Sequence, residues 1–377
     1  MFSNPYVIYA YALVVSFLLA AALTEAVRRF ALHFKIMDQP GDRKMHHTPV
    51  PLLGGVAIVL TFILFLGTHL VMVSRAAGFA LGSLEDNLRG MLGEDHRVKL
   101  AGIVSGGLII FALGLWDDLR ALRPRTKLMG QVLAALLLVF CGLRIRMFLF
   151  DDSLRPELLA LVLSGGITVF WVVLVTNSLN LLDNMDGLCG GVSIIAALSF
   201  FLAVQSHEGE QEFVRLLLMV FAGSVGGFIY HNLSPARIFM GDAGAMFSGY
   251  FLATVALLGT FHVPETASRV AVAAPILALA VPLFDTASVV LIRWRSGESI
   301  WLGDKRHFSH RLVELGMTPR QAVEFIFLVA GVVGLGGALL SLVNRLGTFI
   351  ILAQTAGVFL LIVLLMNASR RQKGQDE

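Results

Sequence analysis

Oxygen-bearing side chains of one short stretch separate two long apolar runs; they are Asn177, Asn180, Asp183, Asn184 and Asp186. The flanking runs, 158–176 and 188–204, each approach the roughly 20 residues that cross a bilayer. Carboxylates and amides at the end of a membrane helix are costly, and are therefore candidates for function. A polar turn between two helices explains one Asp and one Asn, but fits five such side chains without Lys or Arg poorly. The stretch predicts an oxygen-rich site for a hard cation or a sugar nucleotide at the membrane surface.

The composition indicates an integral membrane protein. Hydrophobic residues make up 56% of the 377 and charged residues only 15%, and the mean hydropathy is +0.79. Such values exclude a soluble domain with a single anchor. The net charge of +3 is small, so nucleic-acid binding is not expected. Cys141 and Cys189 lie in or beside apolar segments and predict neither a disulfide framework nor a metal finger.

Hydropathy predicts an all-α polytopic protein with about eleven transmembrane helices. They are expected at 5–26, 52–74, 98–116, 127–143, 158–181, 187–204, 213–231, 243–262, 268–294, 321–342 and 347–366. We expect a single domain, 1–377, with its motif-bearing core at 38–316, two C-terminal helices at 321–366 and a polar tail at 367–377.

The distribution of charge predicts the orientation. With the N-terminus outside and the C-terminus in the cytoplasm, most of the 29 Lys and Arg residues fall in cytoplasmic loops, as the positive-inside rule requires. The acidic loop 75–97 then lies outside. The same orientation places every polar cluster on the cytoplasmic face.

Four further clusters contain residues suited to phosphate or metal chemistry. The loop 38–55 presents Lys44 and His46 to phosphates, although an ordinary basic loop would look similar. Asp117 and Asp118 end an apolar helix and precede a basic segment that closes with Lys127; a charge cluster at a helix end is the alternative. Successive side chains diverge by about 100° on a helix, so the two aspartates need not share a ligand.

Asp242 follows Gly241 at the start of a helix of small residues, where a ligand could approach closely; an ordinary N-cap is an equally good explanation. The last cluster runs from Asp285 to Leu312 and places Arg306, His307 and His310 together, which suits a diphosphate. A solvated basic loop is the alternative there.

Together the clusters resemble the polyprenyl-phosphate N-acetylhexosamine-1-phosphate transferases, also called glycosyltransferase family 4. The motifs are Asp-x-Pro-x-x-Arg-Lys-x-His-x-x-Pro-x-Pro-x-x-Gly-Gly from Asp38, the Asp117-Asp118 pair, Asn-x-x-Asn-x-x-Asp-x-x-Asp-Gly from Asn177, and Met-Gly-Asp-Ala-Gly from Met240. The chain is most similar to the bacterial undecaprenyl-phosphate GlcNAc-1-phosphate transferase branch. Where the family usually has His-x-His-His, this chain has His307-Phe308-Ser309-His310, so a hydroxyl replaces the middle imidazole.

The resemblance implies a Mg²⁺-dependent transfer of GlcNAc-1-phosphate from UDP-GlcNAc to undecaprenyl phosphate, releasing UMP, as the first membrane step of a cell-envelope polysaccharide such as O-antigen. Implied metal ligands are Asn180 and Asp242, with Mn²⁺ as the alternative ion to Mg²⁺. Implied catalytic residues are Asp117, Asp118, Asp242 and His307. Implied substrate-binding residues are Lys44, His46, Lys127, Asn177, Asp183, Asp186, Arg306 and His310, with Asp186 the expected uracil contact.

Other expectations follow from the same resemblance. The protein would lie in the inner membrane with its active site facing the cytoplasm, in contact with lipid. A homodimer is one of the assemblies open to it. The alternatives are the same chemistry on another UDP-N-acetylhexosamine or on UDP-MurNAc-pentapeptide, and a Mg²⁺ or solute transporter. A transporter would be expected to place its acids near the bilayer midplane, often in repeated halves, whereas these acids stand at helix ends.

Overall fold

The computed structural model describes residues 5–40, 48–75, 94–145, 157–204, 210–259, 273–299 and 306–376. These residues are almost entirely helical, as expected. In chain order the helices are α1 Pro5–His33, α2 Gly54–Arg75, α3 Glu94–Leu119, α4 Pro124–Phe140, α5 Glu157–Leu182, α6 Leu188–Ala203, α7 Glu210–Asn232, α8 Gly241–Leu258, α9 Ala274–Ala278, α10 Ala280–Ser296, α11 Phe308–Glu314, α12 Pro319–Leu339 and α13 Arg345–Asp376.

Seven of the described helices are long and apolar enough to cross a membrane, judged by length and composition. They are α1, α3, α5, α7, α8, α12 and α13. Two shorter apolar helices, Gly54–His69 and Leu188–Ala203, add to them. An all-α integral membrane protein is therefore confirmed, whereas the count of eleven spans and the orientation stay predictions.

Two local differences from the sequence-based expectation stand out. The segment expected as one span at 268–294 contains two helices, α9 and α10, which meet at Leu279. Pro282 lies in the first turn of α10, where its missing N–H costs no helical hydrogen bond. The loop after α1 also contains two short antiparallel strands, β1 Met37–Asp38 and β2 Val50–Pro51, with Met37 opposite Pro51 and Asp38 opposite Val50.

Helix α8 lies at the centre of the bundle and packs against α2, α3, α5 and α6. Nearly every residue from Ala243 to Val255 is buried. Small residues permit this close packing: a Cβ added to Gly114 of α3 would lie 2.5 Å from Cα of Ala243. One added to Gly249 of α8 would lie 2.6 Å from Cα of Thr176 in α5. Helices that approach so closely bring their polar ends close together as well.

Candidate active site

A cavity of about 1040 Å³ opens where several helix ends meet. It lies at the C-terminal ends of α3, α5 and α10 and the N-terminal ends of α4, α8 and α12. Most residues singled out from the sequence line it together, although they are spread over nearly 200 positions of the chain. They are Asp117, Asp118, Lys127, Asn177, Asn180, Asp183, Asp186, Asp242, His307 and His310.

At the centre of the cavity, one ammonium group contacts a cluster of acidic side chains. Lys127 Nζ lies 2.7 Å from Oδ2 of Asp117 and also contacts Oδ2 of Asp242. Asn180 Nδ2 donates to Oδ1 of Asp242 at 2.8 Å. Four helices thus supply one side chain each, and Asp242 is the carboxylate at which the other contacts converge.

Asp118 holds the beginning of α8. The backbone N–H groups of Asp242 and Ala243 donate to Oδ1 and Oδ2 of Asp118, at 2.7 and 3.1 Å. Gly241 precedes them with φ +70°, and a Cβ there would lie 2.6 Å from Oδ2 of Asp118. Asp242 does not cap its own helix by a side-chain hydrogen bond, so the ordinary N-cap explanation of this residue was wrong.

Asp117, one residue earlier, has different neighbours. Its Oδ1 accepts from the backbone N–H of Leu122 at 2.6 Å, which holds the turn between α3 and α4. Its Oδ2 faces Lys127. The divergence expected for adjacent helical residues is therefore present, and it gives the two carboxylates separate surroundings.

Asp183 and Asp186 lie in the turn between α5 and α6. Burial, together with the nearby charges of Asp242 and Asp118, raises the pKa of Asp183 to about 8. The raised pKa means that the cavity disfavours a further negative charge at Asp183. Asp186 Oδ2 accepts from the backbone N–H of Ala236 at 3.0 Å, which ties this turn to the segment before α8.

Two amide side chains that support the site were missed or placed differently by sequence reasoning. Asn177 Nδ2 donates to Gln131 Oε1 at 2.6 Å, and Gln131 Nε2 donates back to Asn177 Oδ1 at 3.3 Å. Gln131 is fully buried and stands one helical turn beyond Lys127. Its four-residue spacing from Lys127 in an apolar helix was the available signal. Asn177 lines the cavity but fixes α5 against α4.

The His-containing segment forms another wall of the cavity. The rings of His307 and His310 lie 6.4 Å apart between centroids. Ser309, which replaces the family's middle histidine, is buried and donates to Oδ1 of Asn184 at 2.7 Å. The hydroxyl therefore connects α11 to the turn after α5, next to Asp183.

Three of the predicted substrate-binding residues are not among the described residues that line the cavity. Lys44 and His46 lie outside the described residues. Arg306 is not among the residues that line the cavity, and its guanidinium contacts the carboxylate of Glu298. Their phosphate contacts stay predictions.

The donor atoms fit the implied Mg²⁺. Among the described residues, no three His, Cys, Asp or Glu side chains form a group that would hold a metal ion. Mg²⁺ ordinarily takes one or two carboxylates and completes its shell with phosphate oxygens and water. Asp242, with the amide of Asn180 against it, supplies hard oxygen at a point where several carboxylates share one ammonium. We therefore retain Asn180 and Asp242 as the residues that would hold the ion beside a substrate diphosphate.

Comparison with known proteins relates this chain to one family. Residues 100–260, which include Asp117, Asn180 and Asp242, match the family described as Glycosyl transferase family 4. A Bacillus subtilis (strain 168) protein named "Probable undecaprenyl-phosphate N-acetylglucosaminyl 1-phosphate transferase" is 31% identical over 319 residues, which cover 84% of this chain and 81% of that protein.

Two further relatives match over most of their length. The "Decaprenyl-phosphate N-acetylglucosaminephosphotransferase" of Mycobacterium tuberculosis (strain ATCC 25618 / H37Rv) is 29% identical, over 91% of this chain and 85% of that protein. The "Undecaprenyl-phosphate alpha-N-acetylglucosaminyl 1-phosphate transferase" of Yersinia pestis is 25% identical, over 93% of this chain and 89% of that protein. With its acidic cavity and this extent of similarity, the chain belongs to glycosyl transferase family 4.

Proposed function

We propose that this protein transfers GlcNAc-1-phosphate from UDP-GlcNAc to undecaprenyl phosphate, releases UMP, and so begins a cell-envelope polysaccharide. The names of its relatives support this reaction, because they specify polyprenyl-phosphate acceptors and N-acetylglucosaminyl phosphate transfer. The observation that supports it most directly is the meeting of Asp117, Lys127, Asn180 and Asp242, from four helices, in one cavity.

The reaction requires positioning and charge neutralisation more than covalent protein chemistry. An oxygen of the lipid phosphate attacks the sugar-linked β-phosphorus, a new P–O bond forms, and the bond to the bridging oxygen breaks so that UMP leaves. A phosphate monoester has its second pKa near ~6, so it is mostly dianionic at neutral pH. Asp117 is therefore needed to orient the acceptor through Lys127 rather than to act as a strong base.

The cationic groups of the cavity suit this role. Lys127 can move from the two aspartates to a phosphate oxygen, because its ammonium group lies at the cavity surface. His307 and His310 supply further donors on the wall formed by α11. Mg²⁺, when bound at Asp242 and Asn180, would neutralise charge on the diphosphate.

The cavity also has an apolar wall that suits the acceptor's prenyl chain. Phe170, Val173 and Leu174 of α5 face this space together with Val289 and Val290 of α10. The excess of Lys and Arg in loops on the site's side supports a cytoplasmic active site in the inner membrane.

The test is transfer by the purified full-length protein in nanodiscs. Labelled UDP-GlcNAc and undecaprenyl phosphate, with Mg²⁺, should give UMP and a labelled lipid diphosphate in equal amounts, and chelation of Mg²⁺ should stop both. UMP without labelled lipid would contradict group transfer. A matched series with UDP-GalNAc and UDP-MurNAc-pentapeptide decides the sugar, since a higher kcat/KM for either would replace GlcNAc in this proposal. Mg²⁺ flux into proteoliposomes without UMP release would favour the transporter alternative.

A further inference from the structure

A buried carboxylate stands behind His307. Asp285 lies in α10, is fully buried, and was not among the residues assigned to the site. His307 Nδ1 lies 2.8 Å from Oδ2 of Asp285, and the backbone N–H of Phe308 donates to Oδ1 at 2.5 Å. One carboxylate therefore holds both the imidazole and the backbone that follows it.

This geometry fixes the chemistry of the ring. An ionised carboxylate only accepts hydrogen bonds, so Nδ1 of His307 must be the nitrogen that bears hydrogen. The other nitrogen, Nε2, is then left to face the cavity that His307 lines. In that state Nε2 is an acceptor when the ring is neutral and a donor to phosphate when the ring is protonated.

The burial of Asp285 points to more than packing. A carboxylate without exposed surface in an apolar helix is costly unless its charge is compensated. Its partner, His307, is itself nearly buried, with 5% of its surface exposed, yet it reaches the cavity. The pair therefore links a buried side chain of α10 to an imidazole that lines the cavity.

We propose that Asp285 is a positioning residue for phosphoryl transfer: it fixes His307 with hydrogen on Nδ1 and directs Nε2 at the substrate phosphates. The proposal rests on the function proposed above. The proposal also explains how His307 is oriented in a chain that lacks the family's middle histidine. Ser309, which stands at that position, bonds to Asn184. The alternative is that Asp285 only anchors the start of α11 through Phe308.

The two explanations differ in what Asp285→Asn does in the full-length protein. The asparagine has nearly the same shape, but it can satisfy the Phe308 N–H with its oxygen and then presents an NH₂ group to Nδ1, which favours the other tautomer. Loss of a hydrogen bond to a charged group corresponds to about a ten- to hundredfold loss of rate. We expect that loss in kcat, with a change in KM for UDP-GlcNAc of less than about threefold, because the substitution leaves the side chains that line the cavity in place.

A double-mutant cycle with His307→Ala separates positioning from anchoring. If Asp285 acts through His307, Asp285→Asn should change kcat by less than about threefold once His307 is alanine. If the losses of kcat in the two single variants multiply in the double variant, the proposal is overturned. Ser178→Ala is the matched control, because it removes another buried hydrogen bond of α10, between Ser178 and Thr286 at 2.9 Å, and should leave the kcat ratio near one.

Nitrogen-15 NMR of histidine-labelled wild-type protein tests the same point without a substitution at Asp285. The His307 signal is assigned by its loss in His307→Gln. A protonated Nδ1 supports the proposal, and an unprotonated Nδ1 overturns it. A wild-type protein that releases no UMP would refute the proposed function alone, because the tautomer of His307 is measured independently of turnover.

Discussion

The adjacent residues Asp117 and Asp118 have different roles in this site. Asp118 gives both of its oxygens to backbone N–H groups at the start of α8, whereas Asp117 faces Lys127 across the cavity. The Asp-Asp pair therefore combines a side chain that holds the helix bearing Asp242 with one that faces the ammonium group. A mutation at either position should lower kcat, but for separable reasons.

Asp118→Asn should lower stability as well as activity. The asparagine keeps one acceptor oxygen and presents an NH₂ group to the second backbone N–H, which leaves a donor unsatisfied; about 1–3 kcal/mol of unfolding free energy should be lost. Asp117→Asn is the matched control and should reduce kcat with a smaller change in the thermal midpoint. Thermal unfolding in detergent and UMP release measure the two effects. Equal midpoints for the two variants would contradict the distinction.

Lys127 occupies the place where positive charge is needed before substrate arrives. Its ammonium group contacts Asp117 and Asp242, so a cation that enters the cavity before substrate must compete with it for these carboxylates. Lys127→Met should therefore bind Mg²⁺ more tightly in the absence of nucleotide, by roughly tenfold or about 1.4 kcal/mol, while transfer activity falls. Titration of the thermal midpoint with Mg²⁺ measures this affinity.

The control for Lys127 is Arg125→Gln. Arg125 is an exposed cation in the first turn of the same helix, α4. Its removal changes the net charge by the same amount and should leave Mg²⁺ binding near the wild-type value. If Arg125→Gln tightened binding as much as Lys127→Met, a general electrostatic effect would replace direct competition.

The acidic residues and Lys127 could be predicted from the sequence because each is a polar side chain beside an apolar segment. A charged group there costs free energy, so its presence indicates a function. Gln131 escaped notice, and Asp285 was placed in the last cluster without a role. Gln131 is uncharged, and the partner of Asp285 lies 22 positions away in sequence. The sequence also did not indicate that the Ser309 hydroxyl bonds to Asn184. Such pairings depend on helix packing that local sequence does not specify.

At the scale of helices, the site depends on how closely α3 and α5 approach α8. Gly114 and Gly249 allow contacts that any Cβ would obstruct. Hydrophobic periodicity predicted where most helices lie, since a long apolar run has few alternatives. It did not predict the break at Leu279 or the strands at Met37 and Val50, because backbone conformation and long-range pairing decide those features.

Gly249→Ala should damage the site without touching a polar residue. The added methyl group would meet backbone of α5 at Thr176, so the helices must separate, and overpacking of this kind typically costs 1–3 kcal/mol. Since Asn180 is one turn along α5, we expect kcat to fall together with the thermal midpoint. Gly166→Ala in the same pair of helices is the control, because nothing lies within 4 Å of its added Cβ. A Gly249→Ala protein with wild-type kcat would refute this coupling.

At the scale of the whole molecule, the polar helix ends gather around one cavity at one end of the bundle. Helix α12 shows the direction. Its capping box at Thr318 and Gln321 begins the helix beside Pro319 and Arg320, which line the cavity. The helix has 21 residues and ends at Leu339, so it extends about 30 Å along its axis at about 1.5 Å per residue. That length matches the bilayer's hydrocarbon core, so the turn after α12 should lie on the other face.

Single cysteines test this arrangement and the orientation together. In a protein whose Cys141 and Cys189 are replaced by alanine, Arg123→Cys and Ser296→Cys stand in exposed positions near the cavity, and Leu342→Cys stands in the exposed turn after α12. A membrane-impermeant maleimide added to intact cells should label only Leu342→Cys, and inside-out vesicles should label the other two. Labelling of Arg123→Cys in intact cells would reverse the orientation. Labelling of Arg123→Cys and Ser296→Cys from opposite faces would be incompatible with one site, because both flank the same cavity.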